Sequence, residues 1–153
     1  MSQVTAVTDH HFAAPVAAVR SAIESYATVR PLILTDHYGG YEVLEGGTGS
    51  GTVISYTLQA TKKRQRHVVA DVSITDDGDV VERDRNSTLV TTWSVHAHGE
   101  IAHVSLTTTW QGAGGIGGFF ERTFAPKGLG RIQAEVLAKL ESVVGEEGAA
   151  APA

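Results

Sequence analysis

Three glycines in the stretch QGAGGIGGFFERTFAPKGLG, residues 111–130, follow the Gly-x-Gly-x-x-Gly spacing of a phosphate-binding turn. Gly112, Gly114 and Gly117 come after an apparent strand and before a helical pattern, where glycines let a backbone approach a pyrophosphate. A dinucleotide-binding fold also needs a parallel strand after that helix. No strand pattern follows residue 144, so we interpret the glycines as a turn off the sheet edge and predict no cofactor.

Histidine exchanges protons readily near neutral pH, so the histidines are the first candidates for acid–base chemistry. His10 shares one strand face with Ala6 and Phe12, and we expect this face to point inward. It is a candidate ligand anchor or general base. The alternative, which we favour, is a core histidine satisfied by a backbone or tyrosine partner. No Ser-His-Asp set or glutamate pair accompanies it, so His10 is the one candidate catalytic residue that the sequence offers.

Three further histidines have the types and spacing for a metal site. His96 and His98 share one strand face, and the hairpin register derived below sets His103 opposite His96. The same register puts all three imidazoles on the outer face of the sheet, away from the apolar residues. No carboxylate at an adjoining position completes a ligand shell. We therefore predict a solvated histidine patch and no metal.

Aromatic and basic side chains are the candidate ligand contacts. Tyr56 shares its strand face with apolar neighbours, and Trp93 lies on the apolar face of its own strand, so both should point inward. Phe120 and Phe124 lie one turn apart at the start of a helical pattern. Arg30 is interpreted either as a guard of a cavity entrance that holds a ligand carboxylate, or as a surface arginine with a carboxylate neighbour.

The charged segments are interpreted as surface features. The alternating residues ERDR, 82–85, most simply form cross-strand ion pairs. The run KKRQRH, 62–67, holds four of the 12 basic residues and is interpreted as a solvated hairpin tip rather than an RNA or membrane patch. A formal net charge of -5 argues against nucleic-acid binding. No apolar run approaches the ~18 residues of a membrane span, so no stable membrane insertion is predicted.

Composition limits which classes of protein and functional site remain possible. The 153 residues include no cysteine, which excludes disulfides, thiol nucleophiles and cysteine-based metal sites. The N-terminus lacks a basic segment followed by an apolar one, which favours a cytoplasmic location. We predict one domain over residues 1–144 and a disordered tail over 145–153, where nothing large is available to bury. Both a monomer and a homodimer remain open.

The elements that position these residues can be predicted from periodicity. A strand over 3–12 precedes a helix with Val16, Val19 and Ile23 at helical spacing, and a short helical turn follows around residues 32–34. Six strands follow, at about 40–46, 51–61, 66–75, 79–85, 88–98 and 101–111. An amphipathic helix over about 116–144, with a kink or break near Pro126, completes the order β-α-α-β6-α.

The last two strands can be placed in register. A two-residue turn at Gly99-Glu100, with glycine where a positive φ is needed, pairs His98 with Ile101. This register sets Val95 against Val104 on an apolar face. The opposite face is polar. We therefore expect the polar face of the sheet to be exposed to solvent and the apolar face to be covered by the C-terminal helix.

The chain resembles the START-like or Bet v 1-like superfamily (SRPBCC), and within it the bacterial branch of polyketide cyclase/dehydrase and lipid transport proteins. The matching segments are FAAPVAAV (12–19), GGTGSGTV (46–53), VVERDRNSTLVTTW (80–93) and GGIGGFFERTFAPKGLGRIQAEVLAKL (114–140), and the last looks like an actinobacterial subgroup of unassigned function. The resemblance implies an α+β helix-grip fold, in which a curved antiparallel sheet of six or seven strands wraps around a long C-terminal helix. It also implies a cavity between them for an apolar small molecule.

From the resemblance and the apolar face we predict a binding or carrier protein for a lipid, polyketide or isoprenoid-like molecule. The ligand-contacting residues would be His10, Arg30, Tyr56, Trp93, Phe120 and Phe124. An aromatase/cyclase or dehydratase-type enzyme that uses the same cavity is the alternative, and an interaction module with a filled cavity is a second alternative. Members of such a widely shared fold differ in activity, so the activity of this chain must be inferred from the residues of its own site.

Overall fold

The computed structural model describes residues 3–61, 64–111 and 126–150. Within these ranges the elements are β1 (Gln3–Phe12), α1 (Val16–Glu24), α2 (Arg30–Ile33), β2 (Tyr38–Glu45), β3 (Val53–Thr61), β4 (Arg64–Ile74), β5 (Val80–Asp84), β6 (Val90–His98), β7 (Ile101–Gln111) and α3 (Pro126–Ala150). This is the predicted order β-α-α-β6-α, with strand bounds that differ from the predicted ones by about two residues, as expected for element ends.

The strands form one antiparallel sheet in the order β1-β7-β6-β5-β4-β3-β2. Helix α3 packs on its apolar concave face, where Leu137 and Leu140 are fully buried. Contacts between β1 and α3 join Thr8 to Gln133 and His10 to Glu141. The helix-grip α+β fold is therefore confirmed, and α3 lies on the face opposite His96.

The hairpin of β6 and β7 has the predicted register. Val95 pairs with Val104, and His98 pairs with Ile101. Gly99 in the turn has a φ of 68°, in the left-handed region that favours glycine. The segment 46–52 is the predicted hairpin connection, here between β2 and β3, and its Gly49 N–H donates to the Glu24 carbonyl at the end of α1.

The C-terminal helix differs from its predicted bounds. Its described part begins at Pro126, and the predicted first part, 116–125, lies outside the described residues, as do the glycines 112–118. Proline is well suited to a first helical turn. At the other end the helix continues to Ala150 rather than stopping at residue 144. Glutamate and alanine are good helix formers that need no burial, so the polar composition that predicted a tail is also compatible with helix. No described helix is long and apolar enough to cross a bilayer.

Candidate ligand site

A cavity of about 40 Å³ lies between the concave face of the sheet and α3. Space of this size holds about three water molecules. Much of its described wall is apolar and is formed by Leu34, Ile54, Leu58, Leu89, Leu106, Leu129 and Val136. The rest is unusually polar for a protein interior, and this polar part divides into a charged cluster, a group of tyrosines and a hydrogen-bonded amide.

The charged cluster converges on one carboxylate oxygen. Glu82 Oε2 accepts hydrogen bonds from the Tyr26 hydroxyl, from Arg30 Nη1 at 2.8 Å and from Trp93 Nε1 at 3.1 Å. All four side chains are buried. Glu82 Oε1, the other oxygen of the same carboxylate, has no hydrogen-bond partner among the described residues. One edge of this carboxylate is thus fully engaged and the other remains available.

The guanidinium of Arg30 contacts two aromatic rings. Its Cζ lies 4.3 Å from the ring centroid of Tyr26 and 4.7 Å from that of Trp93, within the range of cation–π interaction. Nη2 donates to the Ile23 carbonyl at 3.4 Å. Burial alone would lower the pKa of Arg30, but the contact with Glu82 more than offsets this, and the pKa rises above its ordinary value.

Strand alternation places Glu82 inside. Val80 pairs with Trp93, an inward-facing residue, and Glu82 lies two positions further along β5 on the same face. Glu82 pairs with Thr91, which in turn pairs with Thr108. A polar row therefore crosses three neighbouring strands on an otherwise apolar concave face.

Tyrosines form a further part of the same cavity wall. Tyr38 and Tyr56 meet edge to face with ring centroids 5.3 Å apart, and neither hydroxyl has a hydrogen-bond partner among the described residues. Burial, with a further contribution from Glu82, raises the pKa of Tyr38 above its ordinary value, and burial does the same for Tyr56. Both are therefore neutral hydroxyls that can donate or accept a hydrogen bond.

A β-bulge adds a third tyrosine to the wall. Between Gly39 and Glu42, β2 has one more residue than its partner β3, and Gly40 takes a φ of 60° there. The extra residue rotates the strand so that Tyr41 joins Tyr38 at the cavity, although residues three apart normally face opposite sides. The Tyr41 hydroxyl donates to the Tyr26 carbonyl at 2.7 Å, and burial raises the pKa of Tyr41 to about 12.

An amide from α3 completes the polar wall. Gln133 is buried; its Nε2 donates to Thr108 Oγ1, and its Oε1 accepts from Thr8 Oγ1 at 3.0 Å. Thr108 and Thr91 are joined at 3.3 Å through their hydroxyls. Gln133 thus ties α3 to two strands of the sheet and connects with the polar row that begins at Glu82.

The geometry agrees with comparisons with known proteins. The sequence model for polyketide cyclase / dehydrase and lipid transport proteins matches residues 3–145. The chain belongs to this family. No curated protein matches it by sequence.

Solved structures support the family assignment. The KanY protein (ms6282), determined by NMR, is 54% identical over 95% of this chain and 99% of its own, with a TM-score of 0.85. Two others share the fold at lower identity: TTHA0849 from Thermus thermophilus (18% identity, 98% and 100% coverage, TM-score 0.71) and the Zhui aromatase/cyclase from Streptomyces sp. R1128 (12% identity, 95% and 96% coverage, TM-score 0.73).

Three of the six residues proposed from the sequence as ligand contacts line the cavity: Arg30, Tyr56 and Trp93. Arg30 is buried rather than on the surface, and its carboxylate neighbour is internal. Phe120 and Phe124 lie outside the described residues.

His10 does not line the described cavity. Its Nε2 lies 2.8 Å from Oε1 of Glu141 in the second half of α3, and its ring meets Phe12 edge to face. Both members of the His10 and Glu141 pair are partly exposed. The partner is therefore a helix carboxylate, not the backbone or tyrosine group expected of a core histidine. His10 does lie on the inward face of β1, as predicted, but its position near the end of the strand places it beyond the cavity.

The carboxylate at the centre of the site was missed. Glu82 was interpreted as a cross-strand ion-pair residue, and this was wrong for Glu82, whereas Arg85 does pair across the strands with Asp71. The pairing of β5 with β6 could have indicated that Glu82 points inward, because it places residue 82 on the same face of the sheet as Trp93. Apart from helical spacing, nothing in the sequence indicated that Gln133 and Tyr26 belong to the site.

The predicted histidine patch lies on the outer face. His103 Nε2 is 3.1 Å from Asp9 Oδ1, and the ring of His11 stacks on His103 at 4.7 Å. His96 is exposed. Within residues 3–61, 64–111 and 126–150, no group of three potential ligands is arranged to hold a metal ion.

Proposed function

We propose that this chain binds a small amphipathic molecule between the sheet and α3, with the apolar part against the leucine wall and a polar group at Glu82 and the tyrosines. A lipid, polyketide or isoprenoid-like molecule has this character. One observation carries the proposal: two tyrosine hydroxyls and one carboxylate oxygen line the cavity without a protein partner among the described residues. None of the three is among the fully enclosed unpartnered polar atoms of the described residues, so each is accessible from the cavity. They can therefore form hydrogen bonds with a molecule that enters it.

The size of the cavity adds a requirement. Ligand sites for drug-sized molecules have volumes of roughly 300–1,000 Å³, whereas this cavity has about 40 Å³. A ligand of that size must displace side chains or move α3 outward. An outward movement of α3 must break the hydrogen bonds of Gln133 and expose part of the apolar surface that the helix packs on the sheet.

The first test is native mass spectrometry of the protein purified from its own host, in search of a co-purified molecule. The second is titration with the neutral dye N-phenyl-1-naphthylamine, whose fluorescence rises in an apolar site. Leu106→Phe adds bulk to the cavity wall and should weaken dye binding. Its matched control is Thr107→Phe, which adds a ring to the outer face of the same strand and should bind as the wild type does.

An enzymatic use of the same cavity is the second candidate. The observation that favours it is that a carboxylate and neutral tyrosine hydroxyls line the same cavity, since such groups can accept and donate protons. Turnover of a poly-β-ketone analogue, lost in Glu82→Gln and retained in His10→Ala, would establish this candidate. Binding without turnover supports the carrier.

The filled-cavity interaction module is supported by the small volume. It predicts no co-purified molecule, no dye fluorescence and no difference between Leu106→Phe and Thr107→Phe in any binding assay. That set of results would overturn the proposed function.

A further inference from the structure

The polar end of the cavity holds two opposite charges that already neutralise each other. Arg30 and Glu82 are the ionised side chains of its described wall, and their closest atoms, Nη1 and Oε2, lie 2.8 Å apart. The pair is buried, with side-chain exposures of 4% and 6%, so solvent screens it little. The site therefore presents a net charge near zero to anything that enters.

The charge of this cation is already compensated. Two aromatic rings contact the guanidinium, Nη1 donates to Glu82, and Nη2 donates to the Ile23 carbonyl. Nε is fully enclosed and has no partner among the described residues. A ligand carboxylate that approached Arg30 would also approach the Glu82 carboxylate, and two neighbouring like charges oppose each other strongly in a protein interior.

The groups that do face the cavity suit a different ligand. Glu82 Oε1 is an acceptor without a partner among the described residues, and the hydroxyls of Tyr38 and Tyr56 can accept or donate. A neutral hydroxyl, of an alcohol or a phenol, can donate to Glu82 or accept from a tyrosine. A carboxylate has no proton to donate, and an ammonium would add a charge next to Arg30.

We infer that the Arg30–Glu82 pair, set beside Tyr38 and Tyr56 in the cavity wall, makes this site selective for neutral hydroxyl-bearing amphiphiles over fatty acids and amines. This inference rests on the proposed function and narrows it. Glu82 is the residue that sets the selectivity, because it both cancels the charge of Arg30 and offers the free acceptor.

The test uses three ligands with the same ten-carbon chain: 1-decanol, decanoate and decylamine. Each competes with N-phenyl-1-naphthylamine for the intact wild-type protein at neutral pH. We expect 1-decanol to displace the dye at a concentration about tenfold lower than either charged ligand, since burying an unpaired charge is costly. Equal displacement by decanoate, or a preference for it, would overturn the inference and leave the proposed function intact. Failure of the dye itself to bind would overturn the proposed function and the inference with it.

Variants that remove one or both charges test whether the Arg30–Glu82 pair causes this ligand preference. Glu82→Gln leaves Arg30 uncompensated and should shift the preference about tenfold towards decanoate, whereas Arg30→Gln should shift it towards decylamine. The double variant Arg30→Gln/Glu82→Gln should again prefer 1-decanol. Asp71→Asn removes the same charge from the outer face and is the matched control, for which no shift is expected.

Circular dichroism checks that each variant is folded. If a single variant does not fold, the wild type and the double variant still decide the inference, because both must prefer the alcohol. A preference for 1-decanol that stays unchanged in Asp71→Asn and Glu82→Gln alike would contradict the assigned role of Glu82.

Discussion

Two arginine–carboxylate pairs use carboxylates of the neighbouring strands β4 and β5, and they differ most in their exposure to water. Arg30 and Glu82 meet at 2.8 Å inside the cavity wall, with side-chain exposures of 4% and 6%. Arg85 and Asp71 meet at 2.7 Å on the outer face, with exposures of 51% and 49%. The outer pair is bidentate, through Nε and Nη2, whereas the inner pair shares its carboxylate with Tyr26 and Trp93.

The difference shows where a charge pair indicates function. An exposed pair is screened by water and contributes little to stability. A buried pair must recover the cost of removing both ions from water, and apolar residues of similar size often stabilise a core equally well. The outer pair therefore needs no further explanation, whereas the inner pair indicates a functional site.

The largest effect is expected from breaking the inner pair on one side. Glu82→Ala leaves the Arg30 cation buried without its counter-ion and removes the acceptor of three hydrogen bonds. We expect a loss of about 3–5 kcal/mol in the free energy of unfolding, measured by urea denaturation. A loss below about 1 kcal/mol would mean that water compensates Arg30 and that the pair is not truly enclosed.

The next largest effect concerns the amide that joins the helix to the sheet. Gln133→Ala leaves Thr8 and Thr108 without their shared partner and should cost about 1–3 kcal/mol in urea denaturation. Glu135→Ala changes an exposed residue of the same helix and serves as the control. Equal changes in the two variants would show that the hydrogen bonds of Gln133 contribute nothing measurable to stability, because alanine favours helix at both positions.

Replacing both members of the inner pair should have a smaller effect than replacing one. Arg30→Met/Glu82→Leu removes both charges and keeps apolar volume, so its stability should lie within about 1 kcal/mol of the wild type or above it. Its preference for 1-decanol over decanoate should fall, because the acceptor at Glu82 is gone. A double variant less stable than Glu82→Ala would contradict the view that the pair is kept for recognition.

The smallest effect is expected at the outer pair. Asp71→Asn should change the free energy of unfolding by little more than the error of measurement, and less in high salt. The hydrogen bond from Arg85 lowers the pKa of Asp71 below its ordinary value of 3.8. The contribution of the pair to the free energy of unfolding is therefore complete at pH values above the ordinary pKa of aspartate. It is lost as the pH falls through the lowered pKa of Asp71. Wild type and Asp71→Asn should thus converge in urea titrations repeated in increasingly acidic buffers, and a difference that grows in acid would contradict this assignment.

Part of the candidate site could be predicted because strand periodicity is local. The inward positions of Tyr56 and Trp93 follow from alternation along one strand, and the register of β6 with β7 follows from one turn. Tyr41 could not be placed in this way, because the bulge at Gly40 reverses the face on which it lies. Glu82 was misplaced because the alternation of charges along residues 82–85 matched a surface pattern as well as an interior one.

By itself the sequence determined the order of the elements, the antiparallel sheet, the hairpin at Gly99 and the helix that covers the apolar face. These depend on periodicity and turn chemistry, which act between residues near in the chain. Only the tertiary structure decided that Arg30 and Glu82 meet between Tyr26 and Trp93, and that Gln133 joins Thr8 to Thr108. The residues of each group are distant in sequence, and a buried polar group finds its partner only when packing excludes water from both.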